Sequence, residues 1–453
     1  MMFAAGPIVF LGLLLGVNGA GNLPHDLVSL MDINDYFTPR SIETKPDNLV
    51  RLAGKAPADA KESLVQLLAI RWLGENVDQL GEHKDAARKA FQQLARGPEG
   101  FPRDYAEVAL ARLEGKAPPV RAFPKDSLRK EAFSWFPEKA QMVAAAVEFR
   151  AMPGRKNGGE HDQAFAKQFK EIQAHLQKLI PNQAKDEIYI GAETVGNVRI
   201  DRLSFAMIQD PENRGNEQIF ARATGRFDHK NVVDYLRTLP NLKIDEKKGP
   251  KGEAITYITF AEPPAFILVG DTDVLIAGHG IKKEGNIELA EQALAVRDGK
   301  KPSMLKGALG KSLETISAEA SGLLITIIPP EVRGAAARTP VGVIPHQIIL
   351  ESIGDSAGEG FNVRFRGEMD NEADAKKFAD GFKDLIKMGL DELKNAPAVV
   401  PGLDVMKQVL ETIQGVDLKA DGAKVGGELR VTPDVQKSLL EKAEEAVKKL
   451  TDS

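Results

Sequence analysis

The chain has 453 residues, of which 28% are charged and 43% apolar, and a formal net charge of −5. This is the composition of an ordinary globular protein with room for two or three domains of about 100–200 residues, and it gives no overall electrostatic reason to bind nucleic acid or an anionic membrane. There is no cysteine, which excludes disulfides, thiol nucleophiles, Cys-ligated zinc, iron–sulfur clusters and a lipoprotein-type anchor.

Residues 1–24 carry no charged side chain, and residues 8–17 form an apolar run of signal-peptide length followed by Gly19, Ala20 and Gly21. We therefore read residues 1–21 as a signal peptide or N-terminal anchor. The run lacks a preceding Lys or Arg and is short of the ~20 apolar residues of a membrane span. A buried helix is the remaining alternative.

Residues 26–116 read as a helical domain. Leu64, Leu67, Leu68 and Trp72 recur with helical spacing, as do Ala87, Ala90, Phe91 and Leu94, and then Ala106, Ala109, Leu110 and Leu113. Short amphipathic helices with tight connections resemble HEAT or TPR pairs, although neither consensus is present. Pro118, Pro119 and Pro124 mark a linker over 117–125.

Beyond the linker, alternating and β-branched runs predict strands at 142–149, 187–192, 200–208, 219–224, 254–260, 265–269 and 274–277. Further strands are expected at 322–328, 347–353, 360–369, 416–420 and 424–431. Helices are expected at 163–180, after Asp228, at 287–296, 306–315, 372–394 and 403–413, and after Thr432-Pro433-Asp434, an N-cap with Pro at the first helical position. Residues 329–345 and the cluster Lys247, Lys248 and Lys251 read as loops. Hairpins followed by helices predict an α+β fold. Its antiparallel sheets would be covered by helices on one face, with a small all-helical N-terminal domain.

The fold also reads as internally duplicated. Arg222-x-x-Gly225-x-Phe227-Asp228 closes one strand and opens a helix carrying Val232, Val233, Leu236 and Leu239. Arg364-x-x-Gly367-x-Met369-Asp370 does the same before a helix with Phe378, Phe382 and Leu385 as its apolar stripe. The two copies are taken as 126–316 and 317–453. The repeated Arg and Asp invite an ion pair at each strand–helix junction.

Five stretches carry a resemblance: Trp135-Phe136-Pro137, Gly196 to Arg202, Gly225 to Lys230, Leu268 to Ala277 and Ala295 to Pro302. Together they resemble uncharacterised exported proteins of planctomycete-type bacteria. That resemblance implies export and the duplicated α+β architecture. It implies no activity, so no functional residue follows from it.

Candidate chemistry is thin. Gly354-Asp355-Ser356-Ala357-Gly358 looks like a serine-protease nucleophile loop, but it lacks the accompanying His and Asp segments and suits a hairpin turn. Glu160, His161, Asp162 and His175 offer metal-ligand chemistry, yet the two histidines would lie about 21 Å apart on a helix. Asp271-Thr272-Asp273 lacks the further oxygen ligands of a calcium loop. His279, Lys282 and Lys283 follow a Gly-rich pattern with the wrong spacing for a P-loop and remain weak ligand contacts at a helix start.

No cofactor or metal is implied, and no nucleic-acid partner. The expectation is an exported, non-catalytic protein of the periplasm or cell envelope that binds a protein or another macromolecule. Membrane contact enters only if the first segment is uncleaved. An envelope hydrolase with dispersed Asp, Glu and His, and a carrier of an apolar ligand, are the alternatives. Mass spectrometry of the native N-terminus tests the leader: a mature start near Ala20 to Asn22 is expected, and an intact Met1 in a cytosolic fraction would remove the export reading.

Overall fold

The computed structural model describes residues 26–116, 127–138, 143–148, 182–208, 217–259, 265–279, 286–328, 341–354, 361–394 and 410–432, with a few isolated positions besides. The leader, most of the 117–125 linker, the helices read at 163–180 and 403–413 (but for a few positions), and the Asp355–Gly358 turn lie outside them.

The fold is α+β: a helical N-terminal region and a twelve-stranded, wholly antiparallel sheet with helices on both faces. The helical region comprises α1 (Leu27–Leu30), α2 (Ile33–Phe37), α3 (Pro46–Gly54), α4 (Ala60–Glu75), α5 (Lys84–Ala95) and α6 (Phe101–Leu113). Aspartates start three of them: Asp26, Asp32 and Asp59 each accept a first-turn backbone N–H, which satisfies donors a helix leaves orphaned. The expected apolar stripes converge, with Leu64, Leu67, Leu68, Ala87, Phe91, Ala106 and Ala109 buried around Tyr36, Phe37 and Leu49. Gln66 is buried among them because its amide donates to the Ala53 and Lys55 carbonyls at 3.0 and 2.9 Å, closing the end of α3.

One expected strand is a helix. Residues 187–192 lie inside α8 (Asn182–Val195), which follows the short α7 (Ser127–Lys130). The β-branched look of this stretch is overridden by packing. Ala192 is fully buried in the helical core, Tyr189 packs edge-on against Tyr36, and Glu193 accepts from the Tyr36 hydroxyl and Arg40 at 2.7 and 2.8 Å. These positions, three and four apart, form one face of a helix and would straddle a strand.

The strands are β1 (Val143–Glu148), β2 (Arg199–Ile208), β3 (Gln218–Arg226), β4 (Lys243–Lys248), β5 (Ala254–Thr259), β6 (Ala265–Val269), β7 (Asp273–His279), β8 (Ala320–Ile327), β9 (Gln347–Gly354), β10 (Phe361–Glu368), β11 (Lys419–Asp421) and β12 (Lys424–Val431). Their order is β11-β12-β10-β9-β8-β1-β2-β3-β7-β6-β5-β4. The duplication is explicit in that order. Each half is a three-stranded meander, β1-β2-β3 or β8-β9-β10, followed by a helix and returning hairpins whose last strand pairs with the third strand of the meander. The helices are α9 (His229–Leu236) and α12 (Glu372–Lys394). The halves join through β1 and β8, in the register Val143↔Thr326 to Val147↔Gly322. The first half carries two extra strands. One of them, β4, holds Lys247 and Lys248 and forms a charged edge strand where the sequence suggested a loop. Charged edges resist further strand pairing.

The two repeat motifs occupy equivalent places, at the end of β3 and of β10. Phe227 N–H donates to Asp271 O at 3.0 Å, in the β6–β7 turn, as Met369 N–H donates to Ala423 O at 2.8 Å, in the β11–β12 turn. Both motif glycines are required by close approach. A Cβ on Gly225 would sit 1.9 Å from the Arg199 carbonyl oxygen, and one on Gly367 2.8 Å from Val425 Cγ2. The aspartates differ. Asp228 caps α9 by accepting from Asn231 N–H at 2.9 Å. Ahead of α12 that task falls to Asn371, which accepts from Asp374 N–H, while Asp370 holds Arg333. Leu239, expected on the α9 stripe, lies past the helix end and is exposed.

Opposed partners in the registers share a face. Phe220, Ala206, Ala144, Ile325 and Ile349 define one, hereafter the inner face. It is covered by residues 127–136, α10 (Asn286–Arg297) and α11 (Ala308–Glu314). The outer face is covered at its two ends. There α9 packs Val233 against Ile258 and Leu268 of β5 and β6, and α12 packs Phe378 and Phe382 against Phe365 of β10.

Gly225→Ala is expected to destabilise the protein by about 2–3 kcal/mol, because two paired backbones must part to admit the methyl group. Gly191→Ala, in α8 with nothing near its Cβ, is expected to gain about 0.5–1 kcal/mol from helix propensity. Urea unfolding of the two variants checks both signs.

Candidate functional site

The five stretches singled out in the sequence meet in one neighbourhood. Residues 135–137 lie across the centre of the inner face, where the small residues Ala144 and Ala146 of β1 are fully buried. Phe136 packs 6.1 Å from Phe220. Its carbonyl accepts from Met304 N–H at 2.8 Å, and Pro137 bridges to Ser303 just beyond the Ala295–Pro302 stretch. Two guanidinium groups lie over the Trp135 ring, Arg222 at 3.8 Å and Arg297 at 5.5 Å from its centre, a geometry that favours cation–π attraction.

Arg222 projects from β3 beneath this ring and is 7% exposed. Its Nε and Nη2 both reach Asp273 Oδ1 at 2.8 Å, and Nη1 donates to Glu131 O at 3.1 Å. Burial pulls the guanidinium below its ordinary basicity, and Asp273 works against that pull. Thr224 and Thr272 hydroxyls donate to Asp273 at 3.1 and 2.7 Å. The expected junction pair with Asp228 is therefore not made. Arg222 faces across the sheet to β7, whereas Asp228 is turned to α9. Arg364 likewise pairs across strands with Glu428, at 3.6 Å on a half-exposed surface.

The polar row continues along the inner face. Arg202 of β2 meets Glu148 of β1 at 3.1 Å and Glu131 at 3.2 Å, and Ser127 donates to Glu148. On β9, Glu351 accepts from Ser317 N–H at 2.5 Å and pairs with Arg366 of β10 at 3.1 Å. At the β2 entrance, Arg199 pairs with Asp104 of α6 and with Asp201 at 2.5 and 3.1 Å, and Arg226 reaches the same Asp104 at 3.4 Å. These carboxylates and guanidiniums neutralise one another. The row is a set of structural clamps between strands and the layer above.

Asp271 of the proposed loop accepts from His229 N–H at 2.9 Å through its side chain, and its carbonyl accepts from Phe227, so this hairpin turn fastens the start of α9. His229 itself is held by Gly270 O at 2.9 Å and Thr256 Oγ1 at 2.8 Å. His279 ends β7, and its N–H donates to Asn286 Oδ1 at 3.0 Å at the start of α10. Lys282 and Lys283 lie outside the described residues, as do Glu160, His161, Asp162 and His175. Among the described residues no group of three or more His, Asp or Glu is placed to hold a metal ion.

Sequence reasoning missed the outer face. Between its two helix-covered ends, β2 presents Ile200 and Leu203, 37% and 38% exposed. Half-buried Phe205 and Met207 of β2, Ile219 of β3 and Ile276 of β7 extend the surface. The signal was available: in β2 Leu203, Phe205 and Met207 alternate with Arg202, Ser204 and Ala206, so one face of the strand is wholly apolar.

No family model matches the chain, and no curated protein matches it in sequence. Two solved structures of TP0453, in crystal forms III and IV, align with it at 10% and 9% identity. Each covers 69% of this chain, and 98% and 99% respectively of its own, with a TM-score of 0.34 in both cases. A likeness that loose carries no functional argument.

Asp273→Ala is expected to cost about 3–5 kcal/mol, since it strands the buried Arg222 guanidinium. The double change Arg222→Met with Asp273→Leu is expected to recover most of that loss. A double-mutant cycle by chemical denaturation measures the coupling.

Proposed function

We propose that the chain is a non-catalytic binding protein of the cell envelope, which engages a protein or other macromolecular partner through the middle of the outer sheet face. The observation that carries this reading is the contrast between the two faces. The central charged side chains of the inner face, Arg222 with Asp273 and Arg202 with Glu148, are committed to one another beneath a packed layer. The apolar side chains of the outer face, around Leu203, lie outside the cover of α9 and α12. Exposed apolar side chains such as Ile200 and Leu203 on an otherwise well-patterned protein favour recognition of a partner over chemistry. Both edges of the sheet are poor templates for an added strand, since β4 is charged and β11 is three residues long. A partner would therefore approach the face.

The location rests on the leader read at residues 1–21. Among the described residues no helix is long and apolar enough to cross a membrane.

A photo-cross-linking side chain placed at Leu203, with Lys243 on the edge strand as the control position, tests the reading in the native envelope fraction. One discrete macromolecular adduct from position 203, lost when Ile200→Asp is added, is the expected outcome. Equal labelling from both positions would refute the proposed face. An adduct of lipid mass from position 203 would replace the macromolecular partner with an apolar ligand.

A further inference from the structure

The helical layer is spliced to the sheet through a few residues of backbone. Leu27 N–H donates to Val198 O at 3.0 Å, Asp26 forms an antiparallel bridge with Arg199, and Val28 N–H donates to Asn197 Oδ1 at 3.2 Å. Asp26 sits at the centre of this splice and is 2% exposed. Its Oδ1 accepts from the Tyr105 hydroxyl at 2.7 Å and from Ser29 N–H at 2.8 Å. Its Oδ2 has no hydrogen-bond partner among the described residues.

The charged and titratable groups around Asp26 come from three elements. Arg71 and Glu75 lie on α4, Asp104, Tyr105 and Arg112 on α6, and Arg199 and Asp201 on β2. The cations are already engaged. Arg71 pairs with Glu75 at 2.9 Å and donates to the carbonyls of Val28 and Met31 at 2.7 and 2.8 Å. Arg112 lies 4.0 Å from Glu75, and Arg199 holds Asp104 and Asp201. The Asp26 carboxylate is thus buried at an interface without a cation of its own, a costly arrangement that protonation relieves.

We infer that Asp26 is a protonation-controlled latch between the helical layer and the sheet, fastened in its acid form and loosened in its carboxylate form. Burial raises its pKa from 3.8 to about 6, against the opposing hydrogen bonds of Tyr105 and Ser29 and the charge of Arg199. The folded value lies above the unfolded one. The stabilisation is therefore complete below about 3.8 and is lost as the pH rises through about 6. Mild acidification of a neutral solution tightens the splice, and neutral or alkaline pH favours its local opening at residues 26–28.

Amide hydrogen exchange at Leu27 and Val28, corrected for intrinsic rates, reads the latch directly. Protection of both amides is expected to rise about tenfold between about pH 7.5 and 5, the span set by the raised carboxyl. Asp26→Asn, neutral and of the same shape, is expected to hold both amides at the acid level of protection throughout this range. Tyr105→Phe removes one donor to the carboxylate and is expected to move the midpoint upward. The carboxyl carbon of Asp26, followed by NMR, is expected to titrate near 6. A flat profile in the native protein, an unchanged pH dependence in Asp26→Asn, or a carboxyl midpoint near 4 would each overturn the inference. Should Asp26→Asn fail to fold, an absent upward shift in Tyr105→Phe does the same.

Discussion

The inner face depends on burying Arg222. A guanidinium taken out of water is tolerated only when its donors are met and its charge is answered. Here Asp273 answers the charge, the Glu131 carbonyl takes another donor, and the Trp135 ring covers the plane. Those contacts belong to β7, to the turn after α7, and to the segment that continues into β1. One side chain therefore sets the position of the β6–β7 hairpin against β3 and of the aromatic layer above it. Phe136 follows onto Phe220, and the backbone of Phe136 then fixes Met304. Ala144 and Ala146 of β1 are the complement of this arrangement, since larger side chains there would lift the aromatic layer away.

Each half of the duplicated fold solves the same problem, which is to return the chain to the third strand of a meander. In both, a backbone hydrogen bond from two residues past the motif glycine reaches the turn of the returning hairpin. What differs is the surroundings. Arg222 lies under a packed layer and needs a buried counter-charge, whereas Arg364 lies near the sheet edge and meets a half-exposed glutamate. Surface pairs of that kind contribute little. The same letters in the chain therefore carry a structural clamp in one copy and a solvated contact in the other.

The division of labour between the faces follows from coverage. Among the described helices, α10 and α11 lie over the inner face and α9 and α12 over the ends of the outer face, whose exposed apolar residues are those of β2 while Ala145 and Leu324 beside them are buried. Charged residues on the inner face must pair with one another, and this leaves their chemistry internal. Apolar residues in the middle of the outer face have no described helix against them, and that is where a partner would find surface to bury. The splice at Asp26 stands apart from both. It joins the helical layer to the β2 entrance and brings a buried carboxyl to a place where the two parts of the fold touch through backbone.

Much of the architecture was legible in the residues. Helical spacing located α4, α5 and α6 and the stripe of α12. Alternation located the strands of both meanders, and the repeated Arg-x-x-Gly-x-apolar-Asp revealed the duplication, because these are local consequences of backbone period and turn chemistry. The strand read at 187–192 failed for the converse reason: its periodicity was ambiguous, and contacts with Tyr36 and Arg40, some 150 positions earlier in the chain, decide that it coils. The edge strand β4 was hidden by its charges, which suit an edge as well as a loop. The partner of Arg222 could not be read at all, since Asp228 is near in sequence and Asp273 near in space. The joining of two meanders into one sheet, the inward commitment of the charges and the burial of Asp26 were decided by tertiary structure alone, for each is a matter of which distant groups exclude water from one another.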